Sequence, residues 1–169
     1  QATISNSGGA QVVTLANNNT IGGITSDGTG ANFGVRGDGV TGGTFNQTTI
    51  SGATLDGISL NNTMGDWSFT QNNISSNFRD GIFINGNFDT TSLYNFDSNT
   101  FTDNTRDGIH ILNYDAAAML FATNDTNENG RHGVFLENGL NGAGLGTDID
   151  FIGHESDLNG GDGIRINIG

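Results

Sequence analysis

The chain contains no cysteine, no proline and no lysine in its 169 residues. Without cysteine no disulfide can hold it together, and cysteine-based metal or redox chemistry is excluded, although any compartment remains open. Without proline its turns must be built from Gly, Asn, Asp, Ser and Thr, and glycine is abundant at 28 residues. Positive charge is scarce: five arginines oppose 18 carboxylates, for a formal charge of −13. Such a field repels phosphate backbones and anionic headgroups, which argues against nucleic acid as a partner, and it attracts cations such as calcium. No stretch approaches the roughly 18 apolar residues of a transmembrane helix, and the N-terminus lacks the basic and apolar regions of a signal peptide.

What is present is a repeat. An anchor glycine precedes alternating apolar residues in Asp56-Gly57-Ile58-Ser59-Leu60, Asp80-Gly81-Ile82-Phe83-Ile84, Asp107-Gly108-Ile109-His110-Ile111, His132-Gly133-Val134-Phe135-Leu136 and Asp162-Gly163-Ile164-Arg165-Ile166. Successive glycines stand 24, 27, 25 and 30 residues apart. Twelve residues before each comes a phenylalanine: Phe45, Phe69, Phe96, Phe121 and Phe151. Two residues before those come Gly43, Trp67, Tyr94, Met119 and Ile149, and a period of two marks a strand. Ile50, Ile74, Phe101, Thr126 and Ser156 form a further inward column that turns polar toward the C-terminus, where the core is expected to loosen. Asn77, Asn104, Asn129 and Asn159 form one asparagine ladder, and Asn72, Asn99 and Asn124 a second.

One such coil could bury nothing by itself, so the repeat implies stacked coils of about three short strands, pairing at roughly 4.8 Å. The expected class is an all-β parallel β-helix solenoid of about seven coils with asparagine ladders, a single domain over 1–169. Residues 40–169 carry the clear repeats, and 1–39 are less regular, with Val13 and Leu15, Ile21 and Ile24, and Phe33 and Val35 suggesting two more coils. Asparagine suits the corners because it tolerates left-handed backbone, and the anchor glycines suit a tight corner of positive φ. Insertions are expected at Gly86 to Ser92, Asn113 to Ala118 and Asn138 to Thr147, protruding as loops, with Ala116–Met119 leading into a strand.

The pattern of Asn–x–Ile/Phe, spaced Asn and Asp-Gly-Ile–x–Ile resembles the right-handed parallel β-helix repeats of pectate-lyase-like proteins, above all bacterial surface proteins and secreted passenger domains. The resemblance implies a right-handed coil and a place outside the cell or on its surface. It leaves function open, because the fold hosts polysaccharide lyases and hydrolases, adhesins and structural fibres.

Enzymatic members of that family use carboxylate-bound calcium with a basic residue, or paired aspartates. The corresponding candidates are Arg79, Arg106, Asp107 and His110, on an edge where Arg79, Arg106 and Arg131 run beside Asp56, Asp80, Asp107, His132 and Asp162. The competing account is that the arginines neutralise stacked carboxylates that would otherwise repel one another, and it is preferred because no calcium triad is recognisable. His110, His132 and His154 occupy different repeat positions and form no stacked metal triad. No metal or cofactor is assigned, with Asp148 and Asp150 as weak calcium candidates. Phe83 and Phe135 lie between inward residues and are expected to face outward, as sugar-stacking rings or as surfaces beneath a loop.

Neither end carries an evident cap. The first coils enter through Ile4, Val13 and Leu15, the last leave through Ile164, Ile166 and Ile168, and both edges are expected to be open to head-to-tail stacking with copies of the same chain. The reading is a non-catalytic extracellular structural protein, a self-assembling filament or cell-surface subunit. The alternatives are a polysaccharide-binding or polysaccharide-cleaving β-helix and an adhesin or passenger fragment.

Overall fold

The computed structural model describes residues 2–6, 8–86, 91–139 and 148–168. Segments in which large apolar residues alternate with small or polar ones become strands, since alternate side chains then face one side and can be buried together. No helix occurs among the described residues. The strands stack in register as three parallel sheets around one core. The largest has seven strands: Gln11–Thr14, Phe33–Asp38, Ile58–Asn61, Ile82–Asn85, Ile109–Leu112, Val134–Gly139 and Ile164–Ile168. The second has six: Asn19–Gly22, Thr41–Asn46, Met64–Thr70, Leu93–Asp97, Ala118–Ala122 and Asp148–Ile152. The third has four, Ala2–Ser5, Ile24–Asp27, Thr49–Ser51 and Asn73–Ser75, continued by single-residue bridges through Thr100, Asp125 and Glu155. The molecule is a parallel β-solenoid of about 5 turns rather than the seven coils expected, with seven, six and four strands on its three faces.

The repeat columns are the core. Phe45, Phe69, Phe96, Phe121 and Phe151 stack with ring centroids 5.1, 4.8, 4.9 and 4.7 Å apart, a spacing set by the distance between neighbouring strands. Beside them Gly43, Trp67, Tyr94, Met119 and Ile149 are register partners. Trp67 uses the room that Gly43 leaves, since a Cβ there would meet its ring at 2.6 Å. Where the third column turns polar, Thr126 is fully buried and its hydroxyl donates to Ser156 Oγ at 2.8 Å, so hydrogen bonding takes over from apolar contact. In the first coils Val35 and Leu15 join the core, while the inward place on the third face belongs to Ser26 rather than Ile24, as its pairing with Ile50 shows. The insertion at Asn113 to Ala118 does not simply protrude: Tyr114 and Ala116 are buried against the core. The expected loops at Gly86 to Ser92 and Asn138 to Thr147 fall largely outside the described residues.

Both asparagine ladders form. Asn72 donates through Nδ2 to Asn99 Oδ1, and Asn99 likewise to Asn124, each at 2.9 Å. Asn77, Asn104, Asn129 and Asn159 repeat the bond at 3.0, 3.1 and 3.2 Å. Each acceptor oxygen also takes the backbone N–H of the asparagine one coil earlier, and the remaining amide hydrogens of Asn72, Asn99 and Asn124 go to the carbonyls of Phe45, Phe69 and Phe96. The ladder residues are not themselves left-handed. That conformation belongs to the residue before each: Gln71, Ser98 and Thr123 in one ladder, Ser76, Asp103, Glu128 and Leu158 in the other, with φ from 50° to 57°. The preceding residue turns the corner, and the asparagine is thereby delivered inside. The anchor glycines also lack positive φ. A Cβ on Gly57, Gly81, Gly108 or Gly133 would stand 2.6 or 2.7 Å from the next anchor's carbonyl oxygen, so close approach between coils is what excludes a side chain.

Candidate functional site

The Arg–Asp–Gly anchor sets an arginine and an aspartate at the entrance to the seven-stranded sheet in successive coils. Asp56, Asp80 and Asp107 are fully buried. Asp56 accepts the backbone N–H of Asp80 at 3.3 Å, Asp80 that of Asp107 at 3.1 Å, and Asp107 that of His132 at 3.0 Å. His132 continues the ladder with a different side chain: its Nδ1 accepts the Asp162 N–H at 2.9 Å, which leaves the proton of the neutral ring on Nε2. A buried carboxylate also needs a counter-charge. Arg79 meets Asp56 through Nε at 2.8 Å and Nη2 at 2.6 Å, and Arg131 grips Asp107 with the same two-pronged geometry.

Arg106 breaks the pattern. It reaches Asp80 only through Nε at 3.5 Å, while its Nη2 lies 3.4 Å from His110 Nδ1 and 3.8 Å from Asp107 Oδ2. His110 occupies the outer column of the same sheet, register-paired with Phe83 and Phe135. It packs edge-on to Phe83 and stacks on Phe135, with ring centroids 5.2 and 4.9 Å away. Both phenylalanines face away from the core as expected, but Phe135 is only 5% exposed. The cover is arginine: Arg131 and Arg165 lie 4.9 and 5.8 Å over Phe135, and Arg79 lies 5.5 Å over Phe83.

Burial pushes the Asp56 carboxyl above its ordinary value, against the hydrogen bond from Arg79 that draws it down. Burial also draws Arg79 down, but the Asp56 hydrogen bond and the charges of Asp56 and Asp80 outweigh it and the net shift is up. The first direction weakens the case for an ionic pair and the second strengthens it. Geometry favours the ion pair, because Asp56 Oδ1 accepts both the guanidinium and the Asp80 amide, as an ionised carboxylate does. Arg131 is raised, chiefly by its bond to Asp107.

His154 sits against Phe151 and Phe121, with centroids 5.4 and 6.4 Å away, and its Nδ1 is buried without a partner. Burial lowers its pKa from 6.5, with Asp125 opposing. The folded chain therefore prefers the neutral ring more than the unfolded chain does. That contribution is complete above 6.5 and is lost as pH falls through the lowered folded value. Between about pH 7.5 and about pH 5 the melting temperature of the wild type should fall more steeply than that of His154→Gln; parallel curves would show that His154 does not titrate between the two states.

The remaining sequence-derived residues are dispersed. Ile4 and Val13 lie on the first rung, where Ile4 is 42% exposed, but Leu15 is buried. Ile164 and Ile166 lie on the last rung, and the side chain of Ile168 falls outside the described part. Asp148 and Asp150 are exposed on one strand, and no third carboxylate or histidine joins them among the described residues. Sequence reasoning missed Glu137, whose Oε2 lies 3.2 Å from His110 Nε2, and a 560 Å³ groove lined by Gly52, Ser76, Phe78, Asp103 and Thr105. The exposed Phe78 aromatic, off the repeat columns, was the available signal for the groove. The chain matches no family model, no curated protein and no solved structure in comparisons with each.

Proposed function

We propose that this chain is a non-catalytic structural element of the cell exterior that lengthens by stacking coil on coil with copies of itself. The observation behind this reading is the last rung. Among the described residues, strands Asp148–Ile152 and Ile164–Ile168 are paired on one side only, and Ile164 and Ile166 are 40% and 43% exposed. In the register of the seven-stranded sheet Ile164 continues the column that begins at Val13, so the first rung of a second copy offers the matching apolar residue. The charged edge supports the same reading, since Arg79 and Arg131 are engaged by the carboxylates of their own solenoid.

Sedimentation and electron microscopy across concentration, with and without calcium, test the proposal. The expected result is fibres one solenoid wide that Ile164→Asp shortens or abolishes. A concentration-independent monomer would overturn it and turn attention to the alternative, polysaccharide binding or cleavage. That alternative draws on the groove, where Phe78 is 69% exposed and Asp103 stands beside it; a screen of acidic polysaccharides addresses it. An adhesin or passenger fragment would share the rigid solenoid but would show neither fibres nor cleavage.

A further inference from the structure

Within the charged ladder three acceptor atoms face one another, and one of them has no donor. Asp80 Oδ2 is fully buried and has no hydrogen-bond partner. It lies 3.6 Å from His110 Nδ1, which in turn lies 3.9 Å from Asp107 Oδ2. Glu137 stands at the other ring nitrogen, Nε2, at 3.2 Å, and a carboxylate there holds the proton on Nε2 and turns the Nδ1 lone pair toward the two aspartates. Arg131 engages Asp107 Oδ2 and Arg106 Nη2 stands 3.4 Å from His110 Nδ1, but neither guanidinium bonds Asp80 Oδ2, which is left as a buried lone-pair donor aimed at the other two.

We propose that Asp80, Asp107 and His110 form a binding site for a divalent transition-metal ion of the zinc class, clamping two adjacent coils together. One donor atom from each residue lies within 4.8 Å of the other two. Zinc bonds of roughly 2.0–2.2 Å require ligand separations somewhat shorter than those present, so each side chain need close by only a few tenths of an ångström. An imidazole with two carboxylates suits zinc, nickel or cobalt better than calcium or magnesium, which prefer oxygen alone. Glu137 completes the carboxylate–histidine–metal arrangement that orients a ligating ring, and Phe83 and Phe135 hold that ring from either side.

The charges facing the site are the carboxylates of Asp56, Asp80, Asp107 and Glu137 and the guanidiniums of Arg79, Arg106 and Arg131, so one negative charge is in excess with His110 neutral. Arg79 and Arg131 are held by paired bonds and lie over rings. Arg106 has neither restraint: its closest carboxylate contact is 3.5 Å, and its side chain is 35% exposed. Its Nη2 lies 3.4 Å from His110 Nδ1 and 3.8 Å from Asp107 Oδ2, two of the atoms the metal would take, and it can withdraw into solvent when the ion enters. Arg106 is thus a resident counter-ion that competes with the metal.

The test titrates Zn²⁺, Co²⁺ and Ni²⁺ into the chelator-stripped full chain by calorimetry, with Co²⁺ absorption and histidine ¹⁵N spectra as independent readouts. The wild type should bind one equivalent, with the ¹⁵N shift at His110 Nδ1. Asp80→Asn and His110→Gln should each weaken binding at least about tenfold, while Arg106→Gln should tighten it by about the same factor. His132→Gln and His154→Gln should change nothing. Circular dichroism establishes that each variant folds, and the wild-type ¹⁵N spectrum decides the matter if one does not. No binding by either wild type or Arg106→Gln, an unchanged affinity in His110→Gln, or a shift confined to His132 or His154 would overturn the proposal.

Discussion

Asn99→Ala should lower the folding free energy by about 4 kcal/mol, read as a fall in the denaturation midpoint. The side chain is 1% exposed and makes four bonds, so its removal reaches groups that stay behind. Asn72 Nδ2 keeps the Phe45 carbonyl, and Asn124 Oδ1 keeps the Asn99 backbone N–H. Two groups lose the bonds that Asn99 supplied, the Asn72 N–H and the Phe69 carbonyl. Each buried polar group so stranded costs about 1–3 kcal/mol, and the effect belongs to the orphans rather than to the bonds counted. Asn159→Ala should cost under half as much, because Asn159 is only half-buried on the open last rung. A loss at Asn99 of less than about 1 kcal/mol would mean that water enters the corner and replaces the amide.

Phe96→Ala should be comparably severe, at about 4 kcal/mol, through a different mechanism. Its ring is fully buried, with Phe69 and Phe121 stacked 4.8 and 4.9 Å above and below. Truncation removes apolar burial and leaves a cavity that the coils cannot close, because hydrogen bonds on all sides fix their spacing. Phe151→Ala should cost about a third of that, since Phe151 is half-buried and stacks on one ring of its column. Chemical denaturation of the pair measures the difference. Equal losses would show that the last rung is as tightly closed as the middle.

Much of this architecture was legible because each column repeats one residue type once per coil. The five phenylalanines and seven asparagines announce their positions without any knowledge of the turns between them. The turns were not legible in the same way. The left-handed corner residues Ser76, Asp103, Glu128 and Leu158 share a backbone geometry but no chemistry, so no letter marks them. The anchor glycines were visible as a motif, yet their cause was not, since the constraint is a carbonyl one coil away. His132 stood in the aspartate column from the start, but its part in the ladder was not legible, because it rests on an imidazole nitrogen replacing a carboxylate oxygen as an acceptor. That Asp80, Asp107 and His110 face one another was hidden for a related reason. Asp80 differs from Asp56 and Asp107 only in how the arginine of the following coil is aimed, and that depends on the neighbour His110.

The parallel register also fixes how the molecule meets force. Each strand is joined to its equivalent one coil away, with partners 24 to 30 residues apart along most of the stack. Tension applied to the two ends along the stacking axis falls on the hydrogen bonds of one rung at a time, because they lie along the pull. Rupture would therefore proceed from an end as a train of similar steps, each freeing about 80 to 100 Å of chain. With no cysteine to staple one coil to the next, resistance to peeling rests on the ladders and the ring stack, which begin only at Asn72 and Phe45, so extension should begin at the first coils, where the strand Ala2–Ser5 is exposed throughout.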